Sequence, residues 1–97
     1  MPARELQDLK NVGKATLADL HLLGIYSVKE LASQEPSELF HRIEKITGKR
    51  QDPCVWDVFA AIIHEAKTGE PTVWWKWTAE RKLLQKAGKF FHNDKKN

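Results

Sequence analysis

The chain has 97 residues, 41% of them apolar and 30% charged, with a net charge of +3. That length suits one domain burying roughly 60 to 65% of its unfolded surface around one modest core. The composition excludes a membrane protein, because no apolar run approaches the ~20 residues of a span, and the single cysteine, Cys54, excludes an internal disulfide.

The N-terminal stretch MPARELQDLK has no apolar segment of the secretory kind, so a cytoplasmic protein is expected. The charge is uneven. Residues 1–75 hold nine Lys/Arg against eleven Asp/Glu, whereas residues 76–97 hold seven against two. A basic end on a near-neutral body suits an anionic partner or a solvated tail. A single domain over residues 1–92 is expected, followed by a disordered basic tail over 93–97.

In chain order the pattern is all-α, a compact domain of about five to six helices. Leu6 and Leu9 mark a short first helix. Leu17, Leu20 and Leu23 stripe one face of a second, which Gly24 ends, with Ile25 folding back onto Leu20. Ser27-Val28-Lys29-Glu30 is a capping box opening a third helix from Val28 to about Ser33. Pro36 opens a fourth, with Leu39, Ile43 and Ile46 on its buried side and Thr47-Gly48 as its stop. Asp52-Pro53 starts a fifth, with Val55, Val58, Phe59, Ile62 and Ala66 along one face, and this is the expected central helix, ending at Thr68-Gly69-Glu70-Pro71. Thr72 to Trp77 is the one stretch open to a strand reading. Thr78 is placed to cap a last helix carrying Leu83, Leu84 and Ala87 up to Gly88.

The loop Asn11-Val12-Gly13-Lys14 between the first two apolar segments raises a choice between two phosphate-binding devices. A Walker loop requires G-x-x-x-x-G-K-[ST]. With its last glycine on Gly13, Asp8 falls where the first glycine belongs and Ala15 where the hydroxyl belongs, and no buried strand precedes it. The nucleotide cradle therefore fails. A helical hairpin fits instead. The amides of Gly13, Lys14, Ala15 and Thr16 lie at a helix N-terminus, where they lack intrahelical partners and carry the positive end of the dipole. Gly13 admits close approach of a sugar-phosphate chain, Asn11 tolerates a left-handed turn, Lys10 and Lys14 add charge, and Val12 plugs the loop into the core.

Leu9 to Thr16 resembles a helix-hairpin-helix motif, with Lys10 in place of the usual proline and Asn11 in place of the first glycine. The wider chain is similar to the small pathogenicity-locus helix-hairpin-helix family of bacteria, through NVGKAT, LLGI-SVKELA, EPSELF, TGKRQDPCVWDVF and WWKW, over residues 6 to about 78. The resemblance implies a helical fold and DNA binding without sequence preference, by hairpin amides on phosphates, in a role accessory to DNA repair, uptake or recombination. It also implies a monovalent cation on backbone carbonyls near Lys10, Val12 or the preceding turn.

A second loop, Ile46 to Pro53, joins two helices and offers Lys49 and Arg50 for side-chain phosphate contacts or for solvent. Asp52 and Pro53 weaken it as an amide site, one by capping the next helix and the other by lacking an N–H. Trp74, Trp75 and Trp77 fall within four positions and cannot all point inward. They can stack on exposed bases, worth ~1 to 3 kcal/mol each, close the core or dock a partner. Two are expected in the core and at least one at a surface, against Phe90 and Phe91, a protein partner or a second copy of the chain. Such an interaction module is the alternative to DNA binding.

His21, His41, His64 and His92 form no metal pattern, and no base, nucleophile and orienter stand at catalytic spacing. The carboxylates read as solvent-facing. A non-enzyme without metal or other cofactor is expected, its nucleic-acid contacts at Lys10, Asn11, Val12, Gly13, Lys14, Ala15, Thr16, Lys49 and Arg50. Cys54, in a first helical turn, is pulled toward a lower thiol pKa by the helix dipole and away from it by Asp52.

Overall fold

A computed structural model describes residues 5–90. Among them are five α-helices and no strand: α1 (Lys14–Leu22), α2 (Val28–Ala32), α3 (Pro36–Thr47), α4 (Cys54–Thr68) and α5 (Thr78–Lys86). Two 3-10 turns complete the set, at Leu6–Asp8 and Trp74–Trp77. The first apolar segment is thus a single 3-10 turn rather than an α-helix, because Leu6 and Leu9 bury themselves through the turn and the chain reverses at Asn11. The stretch open to a strand reading is the second 3-10 turn, and it runs directly into α5.

The helix boundaries follow local chemistry. Gly24 has φ 79 and ends α1 in a Schellman motif, with Ile25 N–H donating to the Leu20 carbonyl at 2.9 Å and Gly24 N–H to that of His21 at 3.0 Å. Leu20 and Ile25 are both buried, as the fold-back requires. Glu30 N–H donates to Ser27 Oγ at 3.1 Å, and Glu30 Oε1 accepts from Tyr26 N–H at 2.8 Å, one residue earlier than in a standard capping box. Asp52 Oδ1 accepts from Cys54 N–H at 2.9 Å and starts α4. Thr78 does not cap α5. It is the first helical residue, and its hydroxyl donates to Asp57 Oδ2 at 2.7 Å.

α4 is the centre of the domain. It packs against α2, α3, the tryptophan turn and α5, while α1 leans on α3. Trp56, Phe59, Ala60, Ala61, Ile62 and Ile63 are all buried, so α4 is apolar on more than one face, and Val55, Val58 and Ala66 sit at the rim of the core. Leu6, Leu9, Leu20, Leu23, Ile25, Leu31, Leu39, Phe40 and Ile43 close around it. One expected core position, Ile46, is exposed instead at 47%, and on the last helix Leu83 is exposed at 66%. On α3 the inward face turns from Ile43 to Glu44, and on α5 it is Arg81 that goes in.

The carboxylates correct the sequence reading most. Asp57, Glu44 and Glu65 are buried at 0%, 3% and 2% exposure rather than solvated. Asp57 accepts from Arg81 Nε at 2.8 Å and from Arg81 Nη2 at 3.2 Å, a two-pronged pair that fastens α5 to α4. The same bonds push the Arg81 guanidinium above its ordinary pKa, keeping it charged although buried. Elsewhere, Arg42 Nη2 donates to the Leu23 carbonyl at 2.8 Å, and Trp56 Nε1 to Ser37 Oγ at 3.0 Å.

Removing one partner of the buried pair leaves the other charge uncompensated. Asp57→Ala should therefore lose about 3 to 5 kcal/mol of stability in urea unfolding. A loss of less than about 1 kcal/mol, the range of exposed ion pairs, would show that the pair does not hold α5.

Candidate nucleic-acid interface

The loop between the first 3-10 turn and α1 is built by three anchors. Asn11 takes φ 76, the only non-glycine positive φ among the described residues, and this reverses the chain. Its side-chain Nδ2 donates to the Thr72 carbonyl at 2.7 Å. Lys10 N–H donates to Glu65 Oε1 of α4 at 2.9 Å. Val12 packs against the core cluster as the plug expected of it. These three residues therefore position the loop, and the backbone amide of Lys10 is already occupied.

Gly13 is the N-cap of α1. Its φ of −95 and ψ of −170 are extended backbone that any residue adopts, and a Cβ placed there would meet nothing within 4 Å. No side chain caps α1, and its first turn holds no acidic residue. Gly13, Lys14 and Ala15 are exposed, Thr16 is half-buried and Lys10 is exposed. The result is a small positive surface of helix-terminal amides between two lysines.

Lys49 and Arg50, both exposed, lie elsewhere. The hairpin rests on Glu65, eleven residues beyond Cys54, so the two loops face opposite ends of α4, about 16 Å apart along its axis. The amides of the second loop are largely engaged. Gly48 N–H donates to the Glu44 carbonyl, Lys49 N–H to Thr47 Oγ1, Gln51 N–H to Glu44 Oε2 at 2.8 Å and Cys54 N–H to Asp52. The Cys54 N–H holds the Asp52 carboxyl below its ordinary value, and burial followed by Asp52 pushes the Cys54 thiol up. The opposing carboxylate and burial outweigh the helix dipole at that thiol.

Glu44 and Glu65 are the residues that sequence reasoning missed. The signal was present as a repeat, Glu44-Lys45-Ile46-Thr47-Gly48 and Glu65-Ala66-Lys67-Thr68-Gly69. In both copies the glutamate carbonyl accepts the glycine N–H, the threonine hydroxyl bonds one turn back, and the carboxylate holds a loop amide from outside the helix.

The tryptophan turn joins this surface through Thr72. That buried residue gives its carbonyl to Asn11 and its Oγ1 to Trp77 Nε1–H at 2.9 Å. Trp77 packs on the core rim with its ring 5.2 Å from that of His64, which in turn meets Glu70 at 2.7 Å. Trp74 is half-buried and Trp75 is 61% exposed. So one tryptophan packs on the core, not two. Phe90 packs on Phe40 at 5.2 Å, and Phe91 lies outside the described residues. No helix is long and apolar enough to cross a membrane, and no three of His, Cys, Asp and Glu gather as a metal site among the described residues.

These features define a small all-α protein with an amide-lined loop at the head of its first α-helix. The chain belongs to the pathogenicity-locus (Cdd1) family, whose model matches residues 2–83. It is 32% identical over 80 residues to the mitomycin resistance protein McrB of Streptomyces lavendulae, covering 82% of this chain and 76% of that protein. No solved structure matches the chain.

Two outcomes test the loop geometry. Glu65→Ala strands the part-buried Lys10 N–H, so it should cost about 1 to 3 kcal/mol and speed hydrogen exchange at that amide, with Glu65→Gln in between. Unchanged exchange at Lys10 would remove Glu65 from the account. The raised Cys54 pKa leaves little thiolate at neutral pH, so iodoacetamide should modify Cys54 more slowly than a free thiol there. The rate should climb only at pH above the ordinary thiol range.

Proposed function

We propose that this chain is a non-enzymatic helix-hairpin-helix module that binds DNA without sequence preference, by phosphate oxygens on the amides of Gly13, Lys14, Ala15 and Thr16. The observation that carries the reading is the identity of residue 13. An N-cap in extended backbone favours Ser, Asp or Asn, whose side chains bond the first-turn amides. Gly13 stands there with open space around it and leaves those amides to an external acceptor. Exposed Lys10 and Lys14 flank them, and membership of the pathogenicity-locus family supports the reading. Phosphate contacts of this kind fix a protein on the backbone and read no base.

Lys49 and Arg50 contribute charge from the far end of α4 by side chains alone, since their loop's amides are spent internally. A monovalent cation at the hairpin would fall to the carbonyls of Lys10, Val12 or the preceding turn. The second reading, a protein-interaction or dimerisation module, draws on Trp75 alone, the one tryptophan more than half exposed. Because the relative carries the name of a mitomycin resistance protein, we extend a part in mitomycin tolerance to this chain as a cellular role.

The decisive variant is Gly13→Asp. Its carboxylate would cap α1, so thermal stability should hold or rise by a few tenths of a kcal/mol. DNA affinity, read by fluorescence anisotropy at low salt, should nonetheless fall by at least about tenfold, because the amides are taken and the site is made negative. Lys10→Glu/Lys14→Glu should also weaken binding and flatten its salt dependence by about 0.9 per lost phosphate contact. Wild-type binding that survives Gly13→Asp at full strength would sink the hairpin reading.

A further inference from the structure

Trp75 has more than half its surface in water and makes a perpendicular contact with Trp74, ring centroids 5.7 Å apart at 86°. An edge-to-face contact leaves at least one face of the Trp75 indole uncovered by its neighbour. The turn that carries it is anchored at Thr72. Trp77 Nε1 donates to Thr72 Oγ1, and the Thr72 carbonyl accepts from Asn11, the residue that shapes the hairpin. Thr72 therefore ties the tryptophan turn and the amide site into one unit. Trp75 lies three positions beyond Thr72 and Gly13 two beyond Asn11, and the Asn11–Thr72 hydrogen bond joins the two segments, so the backbone positions lie at most about 27 Å apart. A single strand spans that distance in about eight stacked nucleotides or fewer.

Three lysines surround this unit, with Asp8 and Glu70 as the exposed acids beside them. Lys10, Lys14 and Lys76 are exposed. Glu70, the acidic neighbour in sequence, is engaged with His64, which draws its carboxyl below the ordinary value. An exposed aromatic face among cations matches a ligand with π-faces strung on an anionic chain.

We infer that Trp75 is a stacking platform for an unpaired nucleobase of the DNA whose phosphates lie on the hairpin, giving the chain a preference for single-stranded over duplex DNA. This rests on the proposed hairpin grip and adds a strand form to it. A paired base keeps its faces covered within the stack, whereas an unpaired one offers them to an indole. Lys76 supplies charge beside the stacked base.

The test titrates the full chain with a single-stranded oligonucleotide of about ten nucleotides and with its blunt duplex, at low salt. Anisotropy and intrinsic tryptophan fluorescence are both read. The expected result is tighter binding of the single strand, with tryptophan quenching. Trp75→Ala should lose roughly 5- to 150-fold in single-strand affinity and quench less, while duplex affinity stays the same. Trp75→Phe should restore most of the loss. Equal losses on both forms, or none, would overturn the stacking platform while Gly13→Asp still reported on the hairpin. If wild type sediments as a dimer that Trp75→Ala dissociates, the face belongs to a second copy of the chain. Failure of both DNA forms to bind would overturn the platform together with the grip beneath it.

Discussion

Asp57 lies wholly inside the domain with three donors on its two oxygens: two nitrogens of Arg81 and the hydroxyl of Thr78. A carboxylate in that position is costly unless every lone pair is answered, so the interaction dictates where α5 must begin and how it must rotate. Thr78 has to be the first residue of α5 and Arg81 has to follow one turn later. The tryptophan turn is then forced into the short space between Thr72 and Thr78. Leu83 is left on the outside because Arg81 has taken the inward face. The polar pair, not the apolar stripe, orients this helix.

The same logic extends along α4 and α3. Burying a backbone N–H without a partner costs about as much as losing a hydrogen bond, so loops that dive onto a core need acceptors supplied from outside themselves. Glu65 gives one to Lys10 and Glu44 gives one to Gln51. The two loops nevertheless end differently. The second loop uses the side chains of Thr47 and Asp52 to consume its remaining donors, and it closes as a structural connection. The first has a glycine where a capping side chain would stand, and α1 begins with no acid in its first turn. Two loops anchored alike thus differ in what they leave for a ligand.

The fold was legible wherever one residue carries the signal. Gly24, Ser27, Pro36, Gly48 and Asp52-Pro53 set helix ends by local chemistry, and each acts where expected. Apolar periodicity found α4 for the same reason. What stayed hidden depends on pairs remote in sequence. Asp57 and Arg81 are 24 residues apart, and Lys10 and Glu65 are 55 apart. A charged residue looks solvated until its partner is known, so the expectation of solvent-facing carboxylates fails at Asp57, Glu44 and Glu65, and that of a buried Ile46 fails with it. At the site, Asn11's left-handed backbone and Val12's plug were readable from residue type. The hold of Thr72 on both Asn11 and Trp77 was not, since it joins three segments by a carbonyl and a hydroxyl that no pattern marks.

That junction bears on what the tryptophan turn is for. Packing alone does not require three tryptophans there: none of the three is buried, and Trp77 by itself reaches the core rim. Most aromatic residues that a small domain leaves in water reflect a shortage of polar surface rather than a purpose. Trp75 differs in being mounted on a backbone fixed at both ends, by Thr72 on one side and by the Asp57–Thr78 bond that starts α5 on the other. Rigid mounting removes the entropy that a flexible aromatic would lose on stacking. It also fixes the distance from the indole to the amides of α1. A phosphate site alone recognises any nucleic acid. On the proposed reading, a phosphate site held near an open indole face favours a strand whose bases are free to turn toward it.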